Sequence, residues 1–191
     1  MQTASHSPPR PAVRLIPQLA DFAARQYGDT PFVLRWTPAG WEPWGFAESA
    51  RRMHAFTALL EREGVKPGDR VAIQSENRSE WGLAYLAALE AGAVVVPLDA
   101  LLKEQEVGEI LLQSGARYCV VSARQRPVVE RVKETRLPEL RLLSLDACDD
   151  LPSWPEAQQS FPAETARPER ASPDDLAVLL FTSARPARPR A

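Results

Sequence analysis

The sequence predicts an α/β protein built on a doubly wound, mostly parallel sheet with flanking helices. Three observations predict it. Short apolar runs at Val71–Gln74, Ala93–Leu98, Arg117–Val121 and Arg141–Leu145 alternate with segments of helical periodicity. The connections between them are short. Ala93–Leu98 (AVVVPL) is apolar on both faces, as a central parallel strand requires. The resulting β-α-β-α-β-α-β order, with right-handed crossovers, winds a sheet in both directions.

Taken in order, residues 1–14 (with SHSPPRP inside them) read as a disordered start. Leu15, Leu19, Phe22 and Ala23 recur at helical spacing and Gly28 offers a left-handed stop, predicting an amphipathic helix over Leu15–Tyr27. Pro31–Thr37 and Trp41–Trp44 flank Pro38-Ala39-Gly40 and read as a hairpin. Trp36, Trp41 and Trp44 are expected to pack rather than to stack on a ligand. A helix over Ala47–Glu63 buries Met53, Phe56 and Leu60 and ends at Gly64.

After the turn Val65–Arg70 and its strand, Asn77 is expected to cap the next helix, with Glu80 at the capping-box position. Trp81, Ala84, Tyr85, Ala88 and Leu89 form that helix's buried face, and Gly92 stops it. Glu104–Ser114 is a helix presenting Val107, Ile110 and Leu111 and ending at Gly115. A charged helix around Pro127–Thr135 precedes the strand at Arg141. Leu151–Pro173 is a long connection to a final buried strand, Ala177–Phe181.

Composition narrows the function classes. At 191 residues, 45% hydrophobic and 25% charged, the chain can bury one sizeable core. Its net charge of −2 supplies no basic field for nucleic acid. No apolar run approaches the roughly 18–20 residues of a membrane span, and Met1–Pro17 lacks a secretory pattern. Cys119 and Cys148 have neither a second cysteine nor a histidine at metal spacing. They read as free thiols of a reducing compartment, with cytoplasm as the expectation. His6 falls in the leading segment, and His54 is expected on a helix with no acid or thiol placed to orient it, so neither suggests a triad. The acidic pairs Asp149-Asp150 and Asp174-Asp175 read as turn and cap chemistry rather than metal ligands. No catalytic residue and no metal ligand is assigned.

The chemistry is expected where the last strand ends. Thr182 and Ser183 place two hydroxyls at its carboxyl end, the position where open α/β sheets take ligands. A glycine-containing loop should follow, with N–H groups free to close on an anion. Instead Ala184–Ala191 (ARPARPRA) holds three arginines, two prolines and no glycine. Arginines without fixed geometry offer at most loose attraction for phosphate.

DDLAVLLFTS (Asp174–Ser183) resembles the entry to the phosphate loop of the AMP-forming acyl-CoA synthetases, where the loop runs T-S-G-T-T-G-x-P-K-G. GVKPGDRVAIQSENRSEWGLAYLAALEAGAVVVPLD (Gly64–Asp99) and EVGEILLQSGARYCVVS (Glu106–Ser122) are similar to that family's preceding elements. The resemblance spans Leu15–Ser183 and is nearest to the medium- and long-chain fatty acid ligases. It implies that residues 15–183 are an incomplete, amino-terminal portion of an AMP-binding domain. It further implies a reaction on a fatty acid or other carboxylate with ATP, magnesium and coenzyme A, in which Thr182 and Ser183 would touch the nucleotide.

The other family motifs fall after this point, so the fragment is expected to be inactive alone and to bind no cofactor tightly. Dropping one G from the first glycine codon of G-T-T-G-T-P-K-G, written in GC-rich codons, yields A-R-P-A-R-P-R-A, the sequence of residues 184–191. That tail is therefore read as frameshift-derived. An alternative stays open, in which the chain is a non-catalytic α/β interaction domain completed by a separate polypeptide. Thr182 and Ser183 would then simply end a strand.

Overall fold

The computed structural model describes residues 14–161 and 170–181. Helix α1 (Gln18–Tyr27) leads into an antiparallel hairpin of β1 (Pro31–Thr37) and β2 (Gly40–Gly45). Helix α2 (Phe46–Arg62) follows, and its Met53, Phe56, Leu59 and Leu60 are fully buried. Their spacing turns a continuous apolar stripe onto the sheet, which is why this charged segment is held as a helix. The expected amphipathic stripe of α1 is much shallower. No residue of α1 is buried, and Leu19 stays largely exposed.

The second half of the domain alternates strictly. Strand β3 (Arg70–Gln74), α3 (Ser79–Glu90), β4 (Val94–Leu98), α4 (Glu104–Ser114), β5 (Tyr118–Val121), α5 (Arg126–Arg136) and β6 (Arg141–Ser144) follow one another. The strands form one parallel sheet in the order β4-β3-β5-β6. Alternate residues of each strand feed opposite cores. Val71, Ile73, Val95 and Val120 meet α2 and α3 on one face. Ala72, Val96, Cys119 and Val121 meet Val107, Leu111, Val129 and Val132 of α4 and α5 on the other. The sheet is covered on both sides, as its two-sided apolar strands demand.

Helix α4 ends at Gly115, which sits in the left-handed region at φ 64°. A side chain there would also press on the Arg70 guanidinium, whose Nε donates to the carbonyl of Ser114 at 3.0 Å. A cation thus closes the negative end of the helix.

Several expectations are corrected. Asn77 does not cap α3. The helix starts at Ser79 behind Arg78 with no side-chain cap, because the Glu80 carboxylate is buried and spent on ion pairs with Arg78 and Arg35. The long connection contains a helix, α6 (Trp154–Ser160), which buries Trp154 and Ala157 beside α2. Of the three hairpin tryptophans only Trp44 is buried. Trp36 and Trp41 are 67% and 65% exposed and meet edge to face at 5.2 Å across the hairpin. Ala177–Phe181 is not a buried strand either. It makes a single parallel bridge, Val178 to Val95, and Leu180 is 71% exposed, because it is covered from one side only by β4.

Candidate functional site

The strand order places a reversal between β3 and β5. The chain leaves β3 through α3 toward β4, and leaves β5 through α5 toward β6 on the opposite side. The loops beyond these two strands therefore diverge and leave a crevice at their carboxyl ends, the position at which such sheets take ligands. A cavity of about 510 Å³ lies at this end. Its walls include Glu76 and Asn77 after β3, Asp99 after β4, and Arg124 and Gln125 after β5.

The floor is tied across the reversal. Ser122 Oγ, beyond β5, donates to Glu76 Oε2, beyond β3, at 2.7 Å. The Ser122 amide donates to the Gln74 carbonyl at 3.2 Å, and the Gln125 amide reaches Ser122 Oγ at 3.3 Å. Beside them Arg78 donates to Glu80 Oε2 at 3.0 Å and to Asp146 Oδ1 at 2.8 Å. Asp146 Oδ2 also accepts from the Ala123 amide at 2.7 Å. Burial works against the Arg78 charge, but the bonds to Glu80 and Asp146 outweigh it and hold its pKa above the ordinary arginine value. Three loops, after β3, β5 and β6, are locked by one guanidinium and its carboxylates. Asp99 Oδ1 accepts from the Leu101 amide at 2.8 Å and tightens the turn after β4.

The segment Ala177–Phe181 extends this end of the sheet. The Val95 amide donates to the Ala177 carbonyl and the Leu179 amide to the Val95 carbonyl, both at 2.9 Å. It therefore runs parallel to β4, on the edge away from β3. Three residues take β4 from Val95 to its last residue, Leu98, and take this segment from Val178 to Phe181. Its direction is toward the crevice. Thr182 and Ser183, the sequence-predicted site residues, lie outside the described residues.

Glu76, Ser122 and Arg78 were not singled out by sequence reasoning. They stand in ordinary turn chemistry, and only the strand order makes them neighbours. His54 is a sharper correction: Asp21 and Glu90 stand against its two ring nitrogens, brought from helices before and after its own. Of the acidic pairs, Asp175 serves a turn by accepting from the Ser172 amide, whereas Asp150 is instead ion-paired with Arg126 of α5. Among the described residues no cluster of three or more histidine, cysteine or acidic side chains is placed to hold a metal. No helix among them is long and apolar enough to cross a membrane.

A family model described as AMP-binding enzyme matches residues 20–184. The crotonobetaine/carnitine–CoA ligase of Shigella sonnei (strain Ss046) is 28% identical over 152 residues, which is 77% of this chain and 29% of that protein. A Mycobacterium tuberculosis fatty acyl CoA synthetase superposes with a TM-score of 0.73 at 22% identity, covering 89% of this chain and 33% of the other. A benzoate CoA ligase from Burkholderia xenovorans LB400 does so with a TM-score of 0.71 at 22% identity, covering 86% and 32%. At these identities the two structures show a shared fold. The chain spans about a third of the length of the relatives it matches. With the family match running from α1 to the end of the segment beside β4, the chain belongs to the AMP-binding enzyme family.

Proposed function

We propose that this chain is the amino-terminal part of an AMP-forming acyl-CoA synthetase, and that Thr182 and Ser183 begin the turn that grips the polyphosphate of ATP. The observation that carries this reading is the direction of Ala177–Phe181, which runs beside β4 toward the carboxyl end of the sheet. Main-chain N–H groups and hydroxyls at that position suit the negative oxygens of a nucleotide. In the reaction a carboxylate oxygen bonds to the α-phosphorus of ATP and pyrophosphate leaves. The thiol of coenzyme A then takes the acyl group and AMP leaves. Magnesium, when bound with the nucleotide, neutralises phosphate charge.

The carboxylate in this reading is a fatty acid, the protein works in the reducing cytoplasm, and residues 184–191 come from a shifted reading frame. The names of the relatives, which span crotonobetaine/carnitine, fatty acyl and benzoate, support a carboxylate in general. Residues 1–191 purified by themselves should release no pyrophosphate from ATP, magnesium and a fatty acid. Turnover would overturn the predicted inactivity. DNA beyond the Ser183 codon should encode a G-T-T-G-x-P-K-G-like continuation in another frame, and its absence would end the frameshift reading.

A second reading is favoured by one observation, the exposed outer side of Ala177–Phe181. There a separate polypeptide carrying the remaining domains completes the sheet. Co-expression with such a polypeptide should yield a stable complex, while recovery of the two chains apart would exclude it.

A further inference from the structure

We propose that His54 is a protonation-dependent clasp that holds α1 on the domain, so that loss of one ring proton releases the helix. His54 projects from α2 and is 2% exposed. Its Nε2 lies 2.9 Å from Asp21 Oδ1 on α1. Its Nδ1 lies 2.8 Å from Glu90 Oε1 and 3.1 Å from Glu90 Oε2 on α3. An ionised carboxylate only accepts hydrogen bonds, and a neutral imidazole has a single N–H. Donation to both sides requires the imidazolium. One ring thereby joins three helices, but only while it carries both protons.

The charges around the ring agree with that requirement. Asp21 faces it from α1 and Glu90 from α3. On α2 itself the nearest cations in sequence, Arg52 and Arg51, are both paired with Glu48. Arg25, one turn beyond Asp21, is exposed. Burial opposes a charged ring, but hydrogen bonds and charge from Glu90, then from Asp21, prevail and raise the His54 pKa above its ordinary value.

When the ring loses a proton, a nitrogen lone pair meets a carboxylate oxygen inside the protein, and one contact must break. Glu90 stands on α3, whose Leu83, Ala84, Ala87 and Ala88 are locked in the core. Asp21 is the more exposed partner, and its helix buries no residue completely. The α1 side therefore yields. The consequence reaches the candidate site. Leu15, Ile16 and Pro17, just before α1, share a cavity of about 110 Å³ with Leu89 of α3 and with Leu176 and Ala177. Release of α1 opens one wall of the pocket that seats the segment running beside β4.

The sign of the pH dependence follows from linkage. The clasp contributes fully below about 6.5, the ordinary histidine value, and is lost as pH rises through the raised value of the closed state. Between the two, opening of α1 grows up to about tenfold per pH unit, and above them it levels.

The test uses the whole chain, whose two histidines, His6 and His54, give two titration curves by NMR. His54 should titrate above the ordinary value. Amide protection over Asp21–Tyr27, corrected for the intrinsic exchange rate at each pH, should fall across the same window while that of α3 holds. In His54→Gln and in Asp21→Asn the α1 step should vanish, and Asp21→Asn should also lower the His54 pKa, since an amide satisfies a neutral ring. Should His54→Gln fail to fold, Asp21→Asn carries the same comparison. Protection of α1 that stays flat through the His54 titration, or a step of the same size in either variant, would overturn the proposal.

Discussion

Arg78 shows how single residues fix the candidate site. Its guanidinium satisfies a buried carboxylate, Glu80, and a loop carboxylate, Asp146, at once. Arg78→Met should cost about 3 kcal/mol, the low end for stranding a buried charge, because Arg35 still reaches Glu80 at 3.5 Å. Urea unfolding measures this, and a loss within about 0.5 kcal/mol, typical of a surface change, would contradict it. The two cysteines make a second case. Burial pushes the Cys119 thiol up to about 12, whereas Cys148 is only half-buried. A thiol reagent at neutral pH should therefore label Cys148 in the native protein and Cys119 only after denaturation. Rapid labelling of both would show that the α4–α5 core is open.

Elements differ in how openly the chain announces them. Helix α4 is found at its predicted bounds, because an apolar face and a glycine stop act within a few residues of each other. Helix α6 also carried a local signal, Ser153-Trp154-Pro155-Glu156, a capping box with proline in the first turn. That signal sits inside a proline-rich connection, where composition argues for loop. The Glu156 amide donates to Ser153 Oγ, and the Glu156 carboxylate accepts from the Ser153 amide at 3.2 Å. Ser153→Ala should cost about 1 kcal/mol and loosen Trp154 from Phe56, whose rings are 5.0 Å apart. Tryptophan fluorescence and urea unfolding would check it, and unchanged stability would mean that packing alone holds α6. The final segment failed as a buried strand for a different reason. Its apolar run is real, but strand burial needs a neighbour on each side.

On the scale of the whole molecule, the exposed apolar side chains among the described residues include the hairpin face of Phe32, Leu34, Trp36 and Trp41, and the edge at Leu176, Leu180 and Phe181. Unpaired strand edges and apolar patches favour self-association. The isolated chain should sediment as concentration-dependent oligomers, and Leu180→Lys with Phe181→Lys should shift it toward monomer. A monomer at every concentration would contradict this. From α1 to β6 the order and kind of the elements were readable from residues alone, since hydrophobic period, glycine stops and turn chemistry act over a single turn or strand. The reversal between β3 and β5, the Glu76–Ser122 contact across it, and the carboxylates on His54 were decided only by tertiary structure. Asp21 and Glu90 stand 33 and 36 residues from that ring. No local pattern encodes such a meeting, because it arises only when packing of separate helices against one sheet brings their side chains to the same point.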